Sequence, residues 1–136
     1  MKKITALFCT TLAALSCLTA CSNHELDGKW TVDDIYSVEP GELFNEPVLE
    51  LNTEKREYHG VTGINNISGT ITLKGNNISF SDGPMTRMAA DPHSMEVETA
   101  YLKAIFDTES YTIEGGKLYL KDCTGNVVMS LSTGNK

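Results

Sequence analysis

Short runs of apolar residues alternate with polar ones through most of the chain, and glycine, asparagine and aspartate cut the runs apart. Residues 29–36, 48–52, 57–62, 68–73, 77–81, 110–114, 117–121 and 127–131 are predicted strands on this pattern. Three of the breaks are hairpin signals: Gly75-Asn76-Asn77, Gly115-Gly116 and the stretch Asp122–Asn126. Residues 37–47, with Pro40 and Pro47 among acids, read as a long loop. Consecutive antiparallel hairpins form a meander, and a meander tends to curl so as to hide its edges.

The period changes once. Asp91-Pro92 supplies a helix cap and a first-turn proline, and helical spacing continues from His93 to Asp107. Glu96, Thr99, Lys103 and Asp107 share a narrow polar stripe, while Val97, Ala100, Tyr101, Leu102, Ala104, Ile105 and Phe106 fill a much wider apolar arc. So broad an arc predicts a helix enclosed by sheet on most sides. The expected fold class is therefore α+β: a curved antiparallel β-meander of about eight short strands, a half-open barrel, wrapped around one α-helix. Glu98 points into the apolar arc, where an unpaired carboxylate costs several kcal/mol. Arg87, just upstream, is the expected partner, giving a structural Arg87–Glu98 ion pair.

Before this body lie Met1-Lys2-Lys3 and an apolar run from Ile4 to Leu18. Fifteen residues at about 1.5 Å each do not cross a ~30 Å hydrocarbon core, so the run reads as a signal peptide over residues 1–20. Leu18-Thr19-Ala20-Cys21 resembles the lipobox of bacterial lipoproteins. That resemblance implies cleavage before Cys21 and acylation of Cys21 by diacylglycerol and a palmitate-type chain. Two or more chains make such an anchor lasting. The expected organisation is a lipidated tether at 21–25, a domain at 26–132 and a tail at 133–136. Lipidation places the chain in the cell envelope, with the outer membrane the expected site.

Cysteine usage follows. Cys9 and Cys17 leave with the signal and Cys21 is the lipid site, so Cys123 remains alone and is expected to be partly buried at a turn edge. The net charge of −7 argues against nucleic acid as a partner. Asp91, His93, Glu96 and Glu98 do not match a zinc or calcium spacing, and they read as capping and solvated groups; no metal or cofactor is expected. Neither a nucleophile elbow nor a phosphate loop is present, so no catalytic residue is assigned. Trp30, Tyr36, Tyr58, Phe80 and Phe106 read as core, with a hydrophobic ligand cup as the alternative. Met85 and Met88, on either side of Arg87, are either an adaptable binding rim or filler under the helix.

Five segments in order resemble the META-domain (HslJ-like) family: Leu26-Asp27-Gly28-Lys29-Trp30, Gly60-Val61-Thr62-Gly63-Ile64-Asn65-Asn66 with Gly69, Met85-Thr86-Arg87-Met88-Ala89-Ala90, Met95-Glu96-Val97-Glu98-Thr99-Ala100-Tyr101-Leu102, and Leu118-Tyr119-Leu120-Lys121-Asp122 with Gly125. The resemblance implies a small curved sheet around one helix, in an envelope protein linked to stress tolerance and without established catalysis. Two cysteines of the family pattern are Ile64 and Ala90 here, which removes any redox role for that pair. The functional expectation is a monomeric, non-catalytic anchored protein that binds an envelope protein or small ligand near the membrane. The alternative is a lipid-carrying or secretion-accessory cup, which needs an internal apolar cavity of several hundred Å³.

Overall fold

The computed structural model describes residues 23–43 and 45–133. The expected signal peptide over residues 1–20 and the expected lipidation site Cys21 lie outside the described residues. Eight strands follow in order: β1 (Gly28–Ile35), β2 (Val48–Asn52), β3 (Glu57–Val61), β4 (Asn66–Lys74), β5 (Asn77–Phe80), β6 (Ser110–Glu114), β7 (Lys117–Lys121) and β8 (Val127–Thr133). One helix, α1 (Pro92–Asp107), stands between β5 and β6. Every neighbouring pair is antiparallel, and the eight-stranded meander around one helix is as expected.

The sheet goes further than half-open. β1 pairs with β8 from Trp30↔Thr133 to Ile35↔Met129, so the barrel closes. Thr133 is thereby a strand residue rather than tail. The register slips between Val32 and Asp34, and this bulge leaves Asp33 and Asp34 both outside while turning Ile35 back into the core. A bulge bends its strand and raises the local twist, which brings β1 round to β8. The join between β5 and β6 is the thinnest: it consists of the Asn77↔Ser110 pair, with the Ile78 N–H on the Glu109 carbonyl and the Tyr111 N–H on the Asn76 carbonyl. The chain leaves the sheet here to build α1, so the two strands overlap only at their ends.

Ordered structure begins earlier than Leu26. Asn23–Leu26 form a 3-10 turn, and the Tyr111 hydroxyl donates to the Asn23 side-chain oxygen at 2.9 Å. Leu26 is fully buried, and its carbonyl accepts from the Trp30 indole N–H at 2.8 Å. The opening Leu-x-Gly-x-Trp segment is thus a stopper for one end of the barrel. The same end holds the β2–β3, β4–β5 and β6–β7 turns.

α1 starts at the opposite end and touches β1, β5, β7 and β8, and it leaves through Thr108 and Glu109 beside Ile78, close to the β4–β5 turn. Asp91 caps it as expected, accepting from the Ser94 N–H at 3.0 Å and the Ser94 hydroxyl at 2.6 Å. These bonds hold the Asp91 carboxyl below its ordinary range. The helix is less enclosed than its apolar arc implied. Ser94, Val97, Ala100, Tyr101, Ala104 and Ile105 are buried, but Leu102 is half-buried and Phe106 is 42% exposed. The barrel is already filled by its own side chains, among them Trp30, Leu49, Leu118 and Leu131, so it accepts one helix face. Trp30, Tyr58 and Phe80 belong to this core, whereas Tyr36 is exposed at the rim.

Candidate functional site

The β3–β4 turn is built by its own residues. Gly63 adopts φ +101°, a conformation that side chains disfavour. The Thr62 hydroxyl accepts from the Asn65 N–H at 3.0 Å, and the Thr62 N–H donates to the Asn65 carbonyl at 2.9 Å. This turn places Thr62 and Asn65, both buried, under the first half of α1.

Glu98 reaches down to meet them. One of its carboxylate oxygens accepts from the Thr62 hydroxyl at 2.6 Å and from the Asn65 amide at 2.9 Å. The other side of Asn65 faces the segment leading into the helix. Its oxygen accepts from the Met88 N–H at 2.7 Å and the Thr86 hydroxyl at 3.1 Å, and its amide also donates to the Met88 carbonyl at 3.2 Å. Thr86 and Asn66 add a strand-like pair, continued by an Ile67↔Met85 bridge. A turn, a strap and a helix are therefore fastened through one asparagine.

The need to satisfy Glu98 was legible in the helix pattern, but the expected Arg87 partner is not the one used. Arg87 is exposed, and among the described residues the ion pairs are His24–Asp27, Lys103–Asp107 and Lys117–Asp33. Two neutral donors suffice because Glu98 is only half-buried. The roles of Thr62, Asn65 and Thr86 were missed by sequence reasoning, although all three stand inside the family-like segments.

The remaining candidates separate. His93 lies at the helix start, where its Nε2 is 2.9 Å from the Pro40 carbonyl and fixes the long β1–β2 loop. Met85 is half-buried against the core and Met88 is exposed. Among the described residues no group of three His, Cys, Asp or Glu side chains is disposed to hold a metal ion. Cys123 is exposed, contrary to the expected partial burial. Asp122 satisfies the turn locally, accepting from the Thr124 hydroxyl and the Thr124 and Asn126 N–H groups, and this leaves Cys123 at the tip. The Thr124 hydroxyl also holds the Asp122 carboxyl below its ordinary range.

On the outer face of the sheet, Glu50, His59 and Ser68 stand opposite one another across β2, β3 and β4 and line an open groove of about 530 Å³. Among the described residues no hydrogen bond joins the three, so they do not form an assembled proton relay.

The META-domain family model matches residues 23–134. No curated protein matches this chain. Solved structures share the fold. A protein from Burkholderia xenovorans, solved by NMR, has a TM-score of 0.63 at 21% identity over 85% of this chain and 88% of its own. A DUF4847-family protein from Bacteroides vulgatus has a TM-score of 0.61 at 10% identity, over 85% of this chain and 99% of its own.

Proposed function

The chain belongs to the META-domain family, and from that premise we propose that it is a non-catalytic, lipid-anchored protein of the bacterial envelope. In this reading it meets a protein or small ligand close to the membrane, in the service of envelope stress tolerance. The observation that carries the proposal is the distance between motif and fold. The 3-10 turn Asn23–Leu26 starts two residues after the cysteine of Leu18-Thr19-Ala20-Cys21. Two peptide steps span at most ~7 Å, shorter than the five-residue tether that a fold starting at Leu26 would leave. An acylated Cys21 would hold the barrel against the headgroups.

The binding reading draws on the clasp formed by Thr62, Asn65, Thr86 and Glu98, which stiffens the helix-covered end without presenting a reactive group. The carrier alternative needs an enclosed apolar space, and the barrel interior is occupied by Tyr101, Ile105, Met129 and Leu131, each fully buried.

The test compares the full chain with a Cys21→Ala form in a bacterial host. The full chain is expected in the membrane fraction, with partners that the Cys21→Ala form does not retain. Equal capture of the same proteins from soluble extract by both forms would remove any role for the bilayer.

A further inference from the structure

The large hydrophobic side chains left exposed among the described residues gather around α1. Met95 and Phe106 lie on the helix, Met88 is in the strap that leads into it, and Tyr36 shares a shallow concavity with Lys103 and Asp107. Single exposed apolar residues are ordinary, whereas a group of them rimmed by polar side chains marks an interaction surface. On the helix the group has a pattern. Met95, Thr99, Leu102 and Phe106 follow at spacings of four, three and four, as in the seam of a coiled coil, on the face turned away from the buried Val97, Tyr101, Ala104 and Ile105. Met95, Thr99 and Phe106 are exposed and Leu102 is half-buried. The Thr99 hydroxyl donates to the Met95 carbonyl at 3.0 Å, so the one polar atom in the seam is satisfied within the helix. Glu96 and Lys103 stand together along one side of the seam, both exposed. Lys103 is paired with Asp107, whereas Glu96 takes part in none of the ion pairs among the described residues.

We propose that this face of α1 docks on the same face of a second copy of the chain, the two helices running antiparallel about a twofold axis between Thr99 and Leu102. Reversal about that axis sets Met95 against the partner's Phe106 and Thr99 against the partner's Leu102. It also brings like flanks together, so Glu96 faces the partner's Lys103 and Lys103 the partner's Glu96. A self-complementary patch of this kind makes each contact twice. The charge order is what selects a second copy. A flank with one acid and one base seven residues apart matches itself when reversed, while a basic segment would be opposed by Lys103 and an acidic one by Glu96. Direction follows from the same charges. Parallel helices would stack Asp107 on Asp107, whereas antiparallel ones turn it toward the partner's helix N-terminus, where the macrodipole is positive. One helix face is small against the roughly 800 Å² per partner of a standard interface, so the pair belongs to the weak class, formed at high concentration or where chains crowd on a surface. The pairing departs from the monomer expected from the sequence and does not depend on lipidation.

Equal amounts of unlabelled and nitrogen-15-labelled chain, in the Cys21→Ala form at high micromolar concentration, are treated with a carbodiimide, which joins a carboxylate to an amine in contact with it. Mixed-isotope peptides linking Glu96 to Lys103 are expected. In sedimentation velocity E96K and K103E are each expected to lower the association constant several-fold, as two attractive contacts become repulsive. The E96K/K103E double variant, or an equimolar mixture of the two single variants, is expected to regain it, which a change in folding alone would not produce. M95S/F106S is expected to abolish the dimer with helix content unchanged in circular dichroism. Monomer at every concentration, a dimer indifferent to the single charge changes, or a loss that the mixture fails to restore overturns the proposal. So does flotation of the Cys21→Ala form on phosphatidylcholine vesicles that M95S/F106S abolishes, which would assign the seam to lipid.

Discussion

An asparagine whose amide oxygen and nitrogen each hold two partners leaves no room for a carboxylate in its place. Asn65→Asp would set a second negative group beside Glu98, so the variant is expected to lose stability at neutral pH and regain part of it on acidification, as two carboxylates sharing a site take up a proton. Glu98→Ala, which leaves the Thr62 and Asn65 donors without their acceptor, is expected to cost about 1–3 kcal/mol in urea denaturation. Arg87→Ala should stay within about 0.5 kcal/mol of the parent. A large loss in Arg87→Ala would restore the ion pair that the helix pattern suggested. Gly60 offers a second test. A Cβ there would clash with the Tyr101 hydroxyl, which donates to the Val48 carbonyl at 2.8 Å. Gly60→Ala is expected to cost about 1–3 kcal/mol. Its combination with Tyr101→Phe should cost less than the two single losses added, because the second change removes the clashing atom. Burial, reinforced by Asp82, pushes the Tyr58 phenol up to about 12. The folded state therefore favours the neutral phenol, whose contribution is complete below pH ~10 and lost as pH rises toward 12. Tyr58→Phe should shrink that alkaline loss of stability, measured as the fall in urea midpoint between pH 9 and 11.

Strands and helix were legible because each is specified locally. Val48–Asn52, Ser110–Glu114 and Lys117–Lys121 have the bounds that their alternation and turn residues imply, and Asp91-Pro92 marked the helix start. What escaped was non-local. The β1–β8 closure depends on a bulge at Asp33 that no turn signal announces, and the Glu98 partners come from a turn more than thirty residues earlier. The exposed Phe106 escaped for a related reason, since a helix pattern reports which residues are apolar and leaves open how much barrel remains to receive them. The closure also has a mechanical consequence. The β5–β6 join, with its one register pair, should open before the β1–β8 ladder. In native-state hydrogen exchange the amides of Ile78 and Tyr111 are expected to exchange well before those bonded between β1 and β8. Uniform protection around the barrel would contradict this.

For the molecule as a whole, the fold supplies a rigid, filled barrel whose ends differ in chemistry: one stoppered by Leu26 and Trp30 beside the chain's entry point, the other covered by an acidic helix and held by the Asn65 clasp. The family-like segments account for most of this construction. Leu26 and Trp30 stopper one end, Gly60 admits Tyr101, and Thr62, Asn65, Thr86 and Glu98 form the clasp. They are legible as a fold. The proposed function depends on what happens at Cys21. Intact-mass spectrometry of the chain purified from a bacterial host is the direct measurement. The account predicts a product that begins at Cys21 and carries diacylglycerol with a further acyl chain. A product that is unmodified at Cys21, or cleaved elsewhere, would contradict it.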